Sequence, residues 1–303
     1  MEDAQDQHPY VEILLRNLST PPNLVGASLE FELSDCYLQL KLLGSSEPGR
    51  YAATLTKLTL LKSSYFERYR SKSGYDYKEL AYDIRGVSEQ GIDLWLRTLR
   101  WKSGDVLIGK TVFYRRTIKD NVDVHIPPVD GEPERTFGKT FITSTDTPQV
   151  LNRDIWDETA QSLKDGVEPP LSFDLFADAI YLGVSEDYRR AYLELAMAAE
   201  VHVRTRIEAE LPNGVSQSLR EEIRLMDYSK LLKVFFKQLS KEKREALTGE
   251  GGIKSKLQKL LEDRNIIVHQ GGHTGSTAIG KGVDLSREKF STYRDAVERL
   301  LKH

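Results

Sequence analysis

The chain has 303 residues, 39% of them hydrophobic and 29% charged, with a formal net charge of −3. That length suits two domains, and the composition excludes a disordered chain and a bulk polycation, so nucleic-acid binding does not follow from net charge. The single cysteine, Cys36, excludes an internal disulfide framework and a multi-cysteine zinc site, as expected in a reducing cytoplasm. The opening Met1-Glu2-Asp3-Ala4-Gln5-Asp6-Gln7 is acidic and polar, unlike a signal peptide, and no apolar stretch is long enough to span a bilayer. The expectation is a soluble cytoplasmic protein with no membrane partner.

In chain order, the first half is short in period and rich in turns. Val11–Leu15, Ser28–Leu33, Tyr37–Leu43, Glu79–Ile84, Val106–Tyr114 and Thr140–Thr143 read as strands bounded by Pro, Gly, Ser and Asp. Thr54–Arg70 and Gln90–Trp101 read as helices. Asn121–Thr136 carries Pro127, Pro128, Gly131 and Pro133 and reads as an irregular loop. Asp154–Leu163 reads as a helix, with Pro-containing Asp165–Pro170 as a second soft region. The division is set near residue 147, with residues 1–147 a β-rich domain whose role is not legible.

After Pro170 the period becomes helical. Phe173–Leu182, Asp187–Leu211, a helix opened by a capping box at Ser218-Leu219-Arg220-Glu221 and running to Leu239, Ile253–Val268 and Ser286–Leu301 all follow it. The fold class is therefore α+β, with residues 148–303 forming an all-α bundle of four or five helices. Ser218–Leu261 holds eleven Lys and Arg against six Asp and Glu, a basic stretch able to meet a phosphate backbone or simply to be solvated. Lys254, Lys256 and Lys259 within it, and Lys281 beyond it, are the candidate RNA-binding cations.

The richest chemistry lies in Glu262-Asp263-Arg264-Asn265-Ile266-Ile267-Val268-His269-Gln270-Gly271-Gly272. An arginine is a permanently charged fork for phosphate oxygens, and a histidine titrates near neutrality and can move a proton. Asn265 and His269 are four apart and share a helix face, so the amide can orient the imidazole. Arg264 and His269, five apart, point roughly 140° from one another on a regular helix. The helix end must distort, the arginine must reach round, or a second subunit must supply the complement. A plain structural reading, a surface arginine paired with its acidic neighbours and a histidine that caps the helix C-terminus, stays open at this point.

Two neighbouring patterns are set aside. Gly275–Gly282 lacks the Ser or Thr of a phosphate-binding P-loop at its last position and follows a helix rather than a strand. His269 and His273 have zinc-helix spacing but lack the glutamate and are separated by a glycine pair. No metal and no cofactor are expected.

A helical region whose penultimate helix ends in Arg-Asn-x-x-x-His resembles the HEPN superfamily (higher eukaryotes and prokaryotes nucleotide-binding domains), over roughly residues 150–303. The long Ala/Leu-rich helix containing Glu200 and the amphipathic helix after the motif fit the same resemblance. It implies a metal-independent endoribonuclease acting as a homodimer, with Arg264, Asn265 and His269 catalytic and Glu200 in a supporting role; His273, read from the residues alone, is either a second, supporting proton-transfer group or a surface histidine. The 2′-hydroxyl of RNA would be the nucleophile and a 2′,3′-cyclic phosphate the product. The resemblance also implies a prokaryotic toxin or anti-phage defence role, with residues 1–147 sensing a regulatory ligand or partner. The competing expectation is a non-catalytic HEPN-like module that dimerises and binds a nucleotide or a partner.

Overall fold

The computed structural model describes residues 10–16, 18–33, 36–46, 53–60, 69–71, 74–108, 122–126, 135–137, 149–248, 252–269, 283 and 285–303. The chain divides into two compact units, Met1–Pro169 and Pro170–His303. The class is α+β, an antiparallel sheet in the first unit and helices throughout the second.

The first unit is built on β1 (Tyr10–Arg16), β2 (Leu18–Ser19), β3 (Ser28–Leu33), β4 (Cys36–Ser46), β5 (Ala53–Leu60), β6 (Arg70–Ser71), β7 (Gly74–Tyr75), α1 (Tyr77–Ser103), β8 (Val122–Ile126), β9 (Arg135–Phe137), β10 (Gln149–Val150) and α2 (Arg153–Lys164). Six strands form one antiparallel sheet in the order β3-β4-β5-β1-β8-β9. The side chain of Asp76 accepts from the Glu79 amide to start α1, and Gly104, at φ 71°, ends it in the left-handed conformation a glycine adopts without strain. Leu80, Ile84, Ile92, Trp95 and Leu99 make its buried stripe. Gly91 lets the helix lie close on the sheet, since an added Cβ would come 2.7 Å from Leu38 and 3.4 Å from Leu58. Trp156 of α2 meets Trp95 edge-on at 6.3 Å.

Several expectations are corrected here. Residues 53–60 are strand rather than helix, because β5 pairs with β4 and β1 on its two sides. Glu79–Ile84 is helix rather than strand, since its Leu80 and Ile84 open the 3.6-residue stripe of α1. The expected loop 121–136 contains β8 and β9, paired antiparallel to one another. Of the strand expected at Val106–Tyr114, residues 106–108 are a turn and the remainder lie outside the described residues, as does Thr140–Thr143. The division comes at Pro169/Pro170 rather than near 147 because α2 packs on α1 and β3.

The second unit comprises α3 (Leu171–Val184), α4 (Tyr188–Ala209), α5 (Gln217–Leu225), α6 (Tyr228–Gln238), α7 (Lys241–Thr248), α8 (Ile253–His269) and α9 (Arg287–Leu301). Helix α4 is central, touching α3, α5, α6, α8 and α9. Its buried Ala191, Ala196, Ala198 and Ala199 permit close approach, and the fully buried Tyr192 packs its ring against Phe290 and Tyr293 of α9. At Gly183 of α3 a side chain would overlap the Phe290 ring, so glycine sets the α3–α9 approach.

The helix expected from Ser218 to Leu239 is two helices. Ser216, not Ser218, caps α5 by accepting from the Leu219 amide, and Asp227 restarts the chain as α6 by accepting from the Lys230 amide. Arg204 of α4 holds the break, donating to the backbone carbonyls of Ile223, Arg224 and Met226 that end α5.

Candidate functional site

Helix α8 is regular from Ile253 through His269, so its end does not distort around the motif. Its buried side carries Ile253, Leu257, Leu260, Asp263 and Ile267. Arg264 is half-buried at the edge of that side and His269 is exposed, the separation that 3.6-residue geometry dictates. Of the three apolar residues between them, Ile267 is buried, Ile266 half-buried and Val268 exposed.

Arg264 bonds the side chain of its neighbour in sequence. Arg264 Nη1 donates to Asn265 Oδ1 at 3.0 Å, drawing the guanidinium toward the face that Asn265 shares with His269 one turn later. No carboxylate pairs with Arg264 among the described residues, so its remaining N–H donors are available to an incoming anion. Glu262 and Asp263, its acidic neighbours, bind elsewhere.

Asp263 is the residue that sequence reasoning missed. Its carboxylate, 3% exposed, accepts from the Tyr293 hydroxyl at 2.7 Å, pairs with Lys289 Nζ at 2.8 Å and lies 3.5 Å from Lys259 Nζ. Two partners come from α9 and one from the preceding turn of α8, so this carboxylate fixes the rotation of α8 against α9. Burial, and then the bond to Asp263, pushes the Tyr293 hydroxyl pKa well above its ordinary value. The available signal was angular: Asp263 lies on the same side of α8 as Leu260 and Ile267, where a charge must have partners.

Glu200 does not join the motif through any bond among the described residues. It pairs with Arg204 at 2.7 Å, one turn along α4, and so braces the arginine that closes α5. Its charge lies near the buried hydroxyl of Tyr228, whose pKa is raised first by burial and then by Glu200.

Among the candidate cations, Lys254 faces the same side of α8 as Asn265 and His269, by helical periodicity. Its ammonium lies 5.7 Å from the Phe236 ring of α6. Lys256 points to the opposite side of the helix, and Lys259 is engaged by Glu262 at 3.1 Å and by Asp263. The Glu262 bond raises the Lys259 pKa. His273 and Lys281, and with them the P-loop-like run and the second histidine of the zinc-like pair, lie outside the described residues. Among the described residues no group of three or more His, Cys, Asp or Glu could hold a metal ion, and no helix is long and apolar enough to cross a membrane.

One further histidine is half-buried. Among the described residues His202 of α4 has no hydrogen-bond partner for Nε2, and burial followed by the charge of Arg206 pushes its pKa down to about 4. It is held neutral within the helical unit.

Compared with protein-family models, curated proteins and solved structures, the chain finds no match.

Proposed function

We propose that the chain is a metal-independent endoribonuclease of HEPN type whose reacting groups are Arg264, Asn265 and His269. The observation that carries this reading is the Arg264–Asn265 bond, which turns a guanidinium without a carboxylate partner among the described residues toward the face of an exposed histidine. His269 removes the proton from a 2′-hydroxyl, O2′ attacks the adjacent phosphorus, and the P–O5′ bond breaks as the leaving oxygen takes up a proton. The products are a 2′,3′-cyclic phosphate and a 5′-hydroxyl. Arg264 holds the phosphoryl oxygens as charge develops on them, and proton transfer of this kind supplies about 10²–10⁴-fold.

A homodimer, in which each helical bundle completes the other's site across a cleft, supplies the acid and base from two copies of His269. This fits the angular spread of Arg264 and His269 on one helix. The same reading places the enzyme in the cytoplasm as a toxin or anti-phage effector, with the N-terminal unit sensing a ligand or partner.

The test is incubation of the purified chain with a mixed RNA pool in EDTA, wild type beside His269→Ala, with end-group analysis. Cyclic-phosphate ends made by wild type and lost in the variant are expected. Cleavage that persists in His269→Ala, or that needs a divalent metal, sinks the assignment. The regular course of α8 through His269 favours a second reading, a binding module that dimerises and takes a nucleotide or partner without cutting RNA. Under that reading, substitutions at Arg264 and His269 change assembly or ligand affinity and there is no cleavage to lose.

A further inference from the structure

Helix α6 has eleven residues, Tyr228–Gln238, of which three are lysines and none is acidic. Lys230, Lys233 and Lys237 are all exposed. Their spacing of three and four puts them in one row about 10 Å long, opposite the buried Leu231, Leu232, Phe235 and Phe236. Among the described residues the one carboxylate paired with this row is that of the cap residue Asp227, 3.3 Å from Lys230 and itself half-exposed.

Phe236 lies three residues after Lys233 and is its neighbour on the helix surface. Lys254 of α8 lies 5.7 Å from the Phe236 ring, so the first turn of α8 stands against the flank of α6 next to Lys233. From Lys254 the same face of α8 runs through Gln258 and the half-buried Leu261 to Asn265 and His269, about 22 Å at 1.5 Å per residue. Glu262, at the margin of that face, is neutralised by Lys259.

We propose that Lys230, Lys233 and Lys237, with Lys254, form a phosphate track that holds single-stranded RNA leading to the Arg264–Asn265–His269 end of α8. This inference rests on the nuclease reading for its destination, but the track itself is testable by binding alone. Among the described residues the row offers charge without an exposed aromatic ring, so it grips phosphate and not base, and its affinity falls steeply with salt.

The test uses the full chain carrying His269→Ala, with a fluorescein-labelled uridine dodecamer titrated in EDTA across a salt series. Lys230→Gln/Lys233→Gln/Lys237→Gln is compared with a charge-matched control, Lys78→Gln/Lys164→Gln/Lys302→Gln, whose three lysines are exposed elsewhere. At about 0.7 of a counterion per contact, losing three contacts lowers the slope of log affinity against log salt by about 2, and low-salt affinity by on the order of tenfold. The control set leaves the slope unchanged, and Lys→Arg at the three track positions restores it.

Equal slopes for track and control variants overturn the proposal. So does a parent that fails to bind the oligonucleotide at low salt, or that binds phosphatidylserine vesicles instead. A wild-type chain that never cuts RNA, when the slope loss is found in the His269→Ala background, keeps the track and loses the nuclease. One that cuts RNA with an unchanged slope does the reverse.

Discussion

The two sides of α8 treat charge in opposite ways. On the side facing α9, Asp263 is enclosed by Tyr293, Lys289 and Lys259, and no capacity is left for a ligand. On the side bearing Asn265 and His269, the arginine is aimed by a neutral amide and no carboxylate among the described residues quenches it. Adjacent residues in the chain, Asp263 and Arg264, thus belong to two different tasks. One keeps the helix in place; the other is left with unfilled hydrogen-bonding capacity. Unfilled capacity, more than residue type, distinguishes a candidate site from a structural ion pair.

This contrast yields a ranked set of expectations. The largest effect falls on cleavage: His269→Ala and Arg264→Ala should each lower the EDTA-resistant rate by about 10²–10⁴-fold with an unchanged unfolding midpoint. A midpoint that drops with the rate would move these residues to the structural side. Next, Asp263→Ala should cost about 2–3 kcal/mol in denaturant unfolding, because Tyr293 loses its acceptor while Lys289 can still turn to water. An unaltered midpoint there would dissolve the contrast from the other end. Smaller is Asn265→Ala, which frees the guanidinium to wander and should lower cleavage about tenfold with no stability change.

The smallest effect expected is at Lys259, half-exposed and doubly partnered, where Lys259→Ala should leave both readouts unmoved.

Acid sharpens the same comparison. His202 has a folded pKa of about 4 against 6.5 unfolded, so its contribution to stability is present above pH 6.5 and is lost as pH falls toward 4. A fall in activity over that range can therefore come from the fold and not from His269. His202→Leu should flatten the midpoint's dependence on pH below 6.5, and following midpoint and cleavage together separates the two causes. An equally steep acid limb in that variant would show that another group controls it.

Much of the second unit was legible because its helices bury one stripe at a 3.6-residue period. Asp187–Leu211 and Ile253–Val268 were expected within two residues of α4 and α8. The break at Met226 was not, because it depends on Arg204, some twenty residues away in sequence, reaching the last carbonyls of α5. The first unit was harder for a related reason. In β5, Leu58, Thr59 and Leu60 are all buried, so a strand flanked on both sides loses the alternation by which a strand is read. Arg264, Asn265 and His269 were visible as residue types at a spacing. The structural role of Asp263 beside them was not, since its partners Lys289 and Tyr293 arrive from α9.

The course of α8 has a consequence for selectivity. His269 is the last described residue of α8, so an anion arriving there meets the C-terminal, negative pole of the helix macrodipole. A helix N-terminus would attract phosphate with its main chain alone; this end repels it. Among the described residues any hold on a phosphodiester must then come from side chains, chiefly one guanidinium. Nucleotide binding at this end should therefore be all but lost when that guanidinium goes, with no backbone remainder beneath it.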